Sequence, residues 1–307
     1  MIFIHDEATL RPLLDWDELI AVERDALIRF SAGSVIQPVR NMIEIEADQR
    51  YLGVMPAIEE QAMGLKLVCF YPGNAGTEVP THTAIILLFD THTGAPLAVL
   101  DGRLITEMRT AAVSAAVTDR LAAPDARVLT LVGSGVQARA HLEALQRVRR
   151  FSEIRVWSRT PEHARRFAED HGATALDLEA AVRGADVIVT ATNARDPLVK
   201  GRWLKPGAHV NAVGSPRPTW RELDDEAMAF ALVVDSREAV LRESGDVILS
   251  GATIRAEIGE LFAGTVDVPA SETTVFKSVG IAIEDLAAAA LVHRRVVSDA
   301  ARDGAAP

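Results

Sequence analysis

The sequence contains a single cysteine, Cys69, so no disulfide can close within the chain, and nothing in it points to an oxidising compartment. Positive charge is scarce too. Lys plus Arg number 32 against 43 Asp plus Glu, a formal net charge of -11, which argues against a general nucleic-acid partner. Long apolar runs are missing. The longest, such as Thr83 to Phe89, fall well short of the roughly 18 residues that cross a bilayer, so no membrane partner is expected. Met1 to Arg11 includes Asp6 and Glu7 and no apolar stretch, unlike a signal peptide. His5, His92 and His141 have no matching cluster of ligands around them, so no metal is expected. What remains is a cytoplasmic globular protein. Its 307 residues, 49% hydrophobic, suffice for a large core and about two domains.

From about Asp125 the pattern is regular. Short apolar runs at Val128 to Val132, Ile154 to Trp157, Asp186 to Ala191, His209 to Val213 and Leu232 to Val234 read as buried strands. Helical stretches fall between them: Val136 to Val148, Pro161 to Gly172 and Asp177 to Arg183. This alternation predicts an α/β fold with a doubly wound parallel sheet of Rossmann type. The first 120 or so residues differ. Runs at Leu65 to Phe70, Thr83 to Phe89 and Pro96 to Leu100, punctuated by Pro and Gly, suggest a more antiparallel α+β domain. A helix from Thr106 to Ala122, with Thr106 as its N-cap and Pro124 beyond its end, carries the chain between the two. The expected division is 1–115 for the first domain, joined by a C-terminal helix over about 283–307, and 116–282 for the nucleotide domain.

The turn "LVGSGVQARAH" places Gly133-x-Gly135-x-x-Ala138 between a strand and a helix. Gly133 permits the tight turn, and Gly135 leaves room for a pyrophosphate against the backbone. The helix that opens with Val136, Gln137 and Ala138 offers free N–H groups and a positive dipole end. Some twenty residues later an NAD site would carry an acid for the ribose 2′-hydroxyl. Here the second strand ends in Ser158, Arg159 and Thr160. A guanidinium pairs with a 2′-phosphate that a carboxylate would repel, so NADP(H) is the preferred cofactor and NAD(H) the second choice.

Seven segments carry a family resemblance: "YLGVMPA" (Tyr51–Ala57), "KLVCFYPGN" (Lys66–Asn74), "EMRTAAVSA" (Glu107–Ala115), "GSGVQA" (Gly133–Ala138), "NAVGSPRPTWRELDD" (Asn211–Asp225), "ESGDVILSGA" (Glu243–Ala252) and "TTVFKSVGIAIEDLAA" (Thr273–Ala288). The chain resembles the ornithine cyclodeaminase/mu-crystallin family along nearly its whole length. The resemblance implies a homodimer whose first domain supplies the interface and the substrate floor. It implies that Arg40, Lys66 and Arg109 face the substrate, with Glu243 at its border. Thr81, His82, Thr192, Asn193, Val213 and Ser278 then lie along the cofactor. Two positions depart from the cyclodeaminase pattern. The slot of its catalytic aspartate holds Pro216, and the slot of a glutamate before "MP" holds Gly53.

The resulting expectation is NADPH-dependent reduction of a cyclic ketimine carboxylate. Arg40 and Arg109 clamp the carboxylate, and Lys66 is the candidate proton donor. Glu243 or Asp246 could instead stabilise the iminium, or simply cap a helix starting near Val247. Lys66 also has a plainer reading, as a lysine at a strand edge that blocks pairing. Three other functions stay open: an alanine-type amino-acid dehydrogenase, ornithine cyclodeaminase, and a binder that holds a small ligand beside NADPH without turnover.

Overall fold

The computed structural model describes residues 2–47, 49–60, 62–269 and 271–302. The chain divides into two compact units. One runs to Arg109 and resumes at Ile281; the other extends from Thr110 to Gly280.

The first unit opens with β1 (Phe3–His5), α1 (Glu7–Leu10) and α2 (Trp16–Ser31). The Asp15 carboxylate starts α2 by accepting the Asp17 and Glu18 N–H groups, the usual service of an N-cap acid. Five strands follow: β2 (Asn41–Glu46), β3 (Arg50–Glu59), β4 (Ala62–Phe70), β5 (His82–Phe89) and β6 (Pro96–Asp101). They form an antiparallel meander in the order β6-β5-β4-β3-β2, and β1 adds to β6 in parallel. Side chains alternate between faces with period two. On β3, Tyr51, Met55 and Ala57 are buried while Leu52, Val54 and Pro56 are half-exposed. The chain then enters α3 (Gly102–Leu121). This helix begins four residues earlier than the Thr106 cap expected from sequence. The Asp101 carboxylate accepts the Arg103 and Leu104 N–H groups and takes the capping role, while the Thr106 hydroxyl donates to the Gly102 carbonyl.

The second unit contains β7 (Val128–Val132), α4 (Val136–Val148), β8 (Glu153–Trp157), α5 (Pro161–His171), β9 (Thr174–Ala175), α6 (Leu178–Val182), β10 (Val187–Thr190) and β11 (His209–Ala212). Then come α7 (Asp225–Met228), β12 (Ala231–Val234), α8 (Arg237–Glu243), α9 (Gly245–Ser250), β13 (Ile254–Glu257), α10 (Ile258–Phe262) and β14 (Thr274–Lys277). All eight strands are parallel, in the order β13-β12-β14-β11-β10-β7-β8-β9. Every residue of β10, β11 and β14 is buried, as expected of parallel strands covered on both faces. Strand order reverses direction at the β7/β10 pair, the doubly wound topology that the alternating pattern predicts.

The last helix, α11 (Ala282–Arg302), belongs to the first unit. It packs on α2 and on β3, β4 and β5. The closed face of the meander, with Met55, Ile86 and Leu88, thus meets Leu19 and Leu27 of α2 and Ile283 and Leu286 of α11, all at most 3% exposed. Each such side chain contributes about 1.5–3 kcal/mol by leaving water. Residues 303–307 of the expected terminal helix lie outside the described residues.

Candidate active site

Because the strands of the second unit are parallel, their carboxyl ends share one edge, where doubly wound sheets take their ligands. Five of these ends carry residues singled out from sequence. Gly133–Ala138 follows β7, Ser158–Thr160 follows β8, Thr192 and Asn193 follow β10, Val213 follows β11 and Ser278 follows β14. Gly133 has φ 123°, and a Cβ there would lie 2.6 Å from the Ala191 carbonyl oxygen; no other residue fits. Gly135 caps α4 without a side-chain hydrogen bond, and a Cβ on it would meet nothing within 4 Å. The result is an open cradle over a helix N-terminus whose N–H groups no capping side chain claims, which fits a dinucleotide pyrophosphate.

The helix behind the cradle is held by a buried imidazole. His141 Nδ1 donates to the Gln137 carbonyl at 2.7 Å, so Nε2, 2.9 Å from Ser114 Oγ, accepts the hydroxyl. Burial lowers the pKa of this ring to about 4. At the end of β8, Ser158 is half-buried and Arg159 and Thr160 are exposed. Thr160 caps α5 without using its hydroxyl, and Arg159 makes no ion pair among the described residues.

Beneath the loops after β10 and β11 lies a buried polar network. Glu222 Oε1 accepts the Thr192 N–H at 2.7 Å and its hydroxyl at 2.6 Å. Oε2 accepts the Thr190 hydroxyl at 2.7 Å and the Gly214 N–H at 2.9 Å. Lys277 Nζ donates to the Gly214 carbonyl at 2.7 Å and lies 2.9 Å from Asp246 Oδ2. Asp246 Oδ1 accepts the Glu222 and Leu223 N–H groups. Burial pushes the Glu222 carboxyl up, against the opposing pull of Lys277. Ser215, at φ 49°, donates its hydroxyl to the Ala194 carbonyl at 2.7 Å and ties the two loops together. A second buried acid, Asp235, accepts the Ser278 hydroxyl and the Val279 and Gly280 N–H groups.

In the first unit, Lys66 stands in the middle of β4, a central strand, on its closed face and 3% exposed. The strand-edge reading of this lysine is therefore wrong. Its Nζ lies 2.6 Å from Asp285 Oδ2 and donates to Thr106 Oγ1 at 3.4 Å. Burial lowers the ammonium to about 8; Asp285 opposes that, while Arg109 and Arg40 add to it. Arg109, 4% exposed, donates from Nε to Asp285 Oδ1 at 3.0 Å and from Nη1 to Glu284 Oε2. Asp285 is held below the ordinary carboxylate range, its burial outweighed by the two cations. Glu23 of α2 is fully buried, and neither of its oxygens has a hydrogen-bond partner among the described residues. Burial and the neighbouring Glu284 push its pKa well above the usual range.

The structure thus brings Lys66 and Arg109 onto one carboxylate, with Arg40 near enough for its charge to act on Lys66. Thr81 and His82 stand at the start of β5, with the hydroxyl 3.2 Å from His82 Nδ1 and the ring 4.4 Å from Phe70. Glu243 is the half-buried last residue of α8. Neither Glu243 nor Asp246 caps α9, because the Ser244 hydroxyl accepts the Val247 N–H there. Asp246 is committed to Lys277 and two backbone amides, which removes it as an iminium stabiliser. Reading the sequence missed Asp285, Glu284, Glu222, Asp235 and Lys277. The signal available was "IEDL", two acids opening a helix, which reads equally well as ordinary first-turn acids.

The profile of the ornithine cyclodeaminase/mu-crystallin family matches residues 5–300. The chain is 51% identical over 277 residues to the ketimine reductase mu-crystallin of Mus musculus, covering 87% of this chain and 88% of that one. Among solved structures, Thermococcus litoralis Δ1-pyrroline-2-carboxylate reductase in complex with NADH and L-proline superposes with a TM-score of 0.92 at 36% identity, over 97% of this chain and 98% of that one. An archaeal alanine dehydrogenase dimer with bound NAD gives 0.91 at 32% identity, over 97% of each chain. The glycine turn, the doubly wound sheet and the full-length match agree, and the chain belongs to the ornithine cyclodeaminase/mu-crystallin family.

Proposed function

We propose that the protein reduces the C=N bond of a cyclic ketimine carboxylate, of the Δ1-pyrroline-2-carboxylate or Δ1-piperideine-2-carboxylate type, with NADPH as its preferred reductant. The observation that carries this reading is Lys66, a buried ammonium paired to one carboxylate and flanked by the charges of two arginines. The mouse relative is a ketimine reductase, and the Thermococcus relative is a pyrroline-2-carboxylate reductase.

Arg40 and Arg109 hold the substrate carboxylate by charge-assisted hydrogen bonds. Fixing the imine in this way converts an encounter into a positioned reaction, an effect of roughly 7–11 kcal/mol at its ideal limit. When bound, the reduced nicotinamide supplies hydride to the imine carbon. Lys66 gives its proton to the imine nitrogen and is left as a neutral amine. An ammonium with a pKa of about 8 is mostly protonated at neutral pH yet gives up its proton at small cost. In the second unit the Gly133–Ala138 turn takes the pyrophosphate, and Ser158, Arg159 and Thr160 take a ribose 2′-phosphate. Thr192, Asn193, Val213 and Ser278 line the remaining strand ends on this reading, with Thr81, His82 and Glu243 as further contacts.

The open face of the first unit's sheet carries Ile43, Leu52, Val54, Leu67, Ile85 and Leu87 side by side in register, all half-buried or exposed. An apolar surface of this kind marks an association site, and it serves here as the homodimer interface. No helix among the described residues is long and apolar enough to cross a membrane. The free Cys69 accords with the cytoplasm.

The test is nicotinamide oxidation with Δ1-piperideine-2-carboxylate and Δ1-pyrroline-2-carboxylate, with NADPH and NADH compared. Pyruvate plus ammonia serves as a competing substrate, and L-ornithine is followed by ammonia release, since its cyclodeamination is redox-neutral overall. Turnover of the cyclic imines with NADPH favoured is expected. Turnover of pyruvate and ammonia alone would move the protein to the dehydrogenases. Bound NADPH with no turnover of any substrate would point to a binding protein.

A further inference from the structure

Asp285 joins two cations of this site. It is 1% exposed, on the first turn of α11, and its two oxygens go to different partners. Oδ2 lies 2.6 Å from Lys66 Nζ on β4, and Oδ1 accepts the Arg109 Nε–H at 3.0 Å from α3. A carboxylate serving only to neutralise one cation needs no such geometry. This one bridges the group that gives the proton and the group that holds the substrate, across three elements of the same unit. Burial, with two guanidiniums acting in the same direction, favours the neutral amine, and Asp285 opposes both.

We propose that Asp285 is the positioning residue of this site, a single carboxylate that holds the Lys66 ammonium and the Arg109 guanidinium at a fixed separation and keeps the lysine charged beside two arginines. The proposal rests on the reading of Lys66 as proton donor. Charge reaches Lys66 from several elements. Helix α11 presents Asp285, with Glu284 beyond it on Arg109. Helix α3 presents Arg109, and the segment before β2 presents Arg40. The flanking strands β3 and β5 place Met55 and Ile86 opposite Lys66. Glu23 of α2, a further buried carboxyl, acts on Arg109, and burial favours its protonated form.

The experiment is the pH dependence of kcat for imine reduction in the full-length protein, wild type beside Asp285→Asn, Asp285→Glu and Glu23→Gln. In the wild type, kcat falls as pH rises through about 8; absence of that limb would refute Lys66 as donor and leave Asp285 without a role. Asn keeps an oxygen for Arg109 Nε but loses the charge. The limb in Asp285→Asn therefore moves about 1–3 pH units down, with kcat at pH 8 lowered about tenfold or more and KM changed less. Asp285→Glu returns the limb toward its original pH. Glu23→Gln, which alters a buried carboxyl that is not paired to Lys66, leaves it in place. A uniform loss of activity in Asp285→Asn with the limb unmoved would make Asp285 a structural ion-pair partner only and overturn the proposal. So would an equal shift in Glu23→Gln, since general charge would then explain the effect. If Asp285→Asn does not fold, Asp285→Glu decides. It must keep the limb and lose kcat through the displaced ammonium, and an unchanged kcat would refute positioning.

Discussion

Replacing Lys277 by Met isolates the network beneath the second unit's strand ends. Lys277 and Asp246 are both fully buried, with Nζ 2.9 Å from Oδ2. The same Nζ holds the Gly214 carbonyl at 2.7 Å. Methionine has nearly the same length and fills the space, so the main loss is electrostatic. Breaking a buried pair on one side costs about 3–5 kcal/mol, because the partner stays charged and loses its counterion. Two backbone N–H groups still reach Asp246 Oδ1, which places the loss near the lower end, about 3 kcal/mol. For a unit of this size that corresponds to a Tm lowered by roughly 6–12 °C. Urea unfolding followed by circular dichroism measures the stability, and a fluorescence titration with NADPH measures the site. Affinity should weaken as well, because Gly214 and Thr192 are tied through Glu222 to the same network. The double variant Lys277→Met with Asp246→Asn should regain most of the lost stability, since neither charge remains. A single-variant loss below about 1 kcal/mol, or simple additivity in the double variant, would show that the pair is not the support described.

Two further outcomes follow from the geometry. Arg159→Ser should raise the KM for NADPH about tenfold, the scale of one exposed charge-assisted hydrogen bond, and leave that for NADH nearly unchanged; equal effects on both cofactors would remove the 2′-phosphate role. His209, held between Thr274 and Asn211, has its pKa lowered by burial to about 4. The unfolded ring takes up a proton below its ordinary value of 6.5 and the folded ring does not, so its contribution to stability is complete above that pH and is lost as pH falls toward about 4. Denaturation at pH 7 and pH 5 should show His209→Gln losing about 2 kcal/mol less than the wild type over that interval; identical losses would mean that the ring does not remain neutral in the fold.

Much of the fold was legible because its signals are local. Gly133 and Gly135 follow a buried strand and precede a helix, and the structure gives Gly133 a positive φ that the sequence pattern requires. The start of α3 was not legible in the same way. Thr106 and Asp101 both precede a helical pattern, and the choice of Asp101 depends on where β6 ends, which is set by pairing with β5. Lys66 was misplaced for a related reason. Its strand extends back to Ala62, and whether β4 lies at the edge or the centre depends on β3 and β5. Asp285 and Glu222 were invisible as partners, because each meets its cation or its loop through contacts between residues far apart in sequence. Long-range polar networks leave no periodicity, and an acid near a helix start or in a polar loop has an ordinary explanation already.

The two units use buried charge in opposite ways, and the contrast bears on the substrate. In the second unit, Asp235, Asp246 and Glu222 accept backbone N–H groups and fasten loops. In the first, Asp285 and Glu284 face Lys66 and Arg109, and Arg40 adds a third cation. On the proposed reading, a substrate carboxylate would meet these cations. A glutamate at position 53 would add an anion on the same face of β3 as Met55. Gly53 shares the closed face of β3 with Met55, the residue opposite Lys66. The space is also filled: a Cβ at 53 would lie 2.8 Å from Met42 Sδ and 2.9 Å from Val68 Cγ1. Met42 and Val68 would have to give way before any acid could enter. On the proposed reading the site therefore suits a ligand with one carboxylate and an apolar remainder, as a cyclic ketimine is. A second, side-chain ammonium such as ornithine's would add a further cation to Lys66, Arg109 and Arg40.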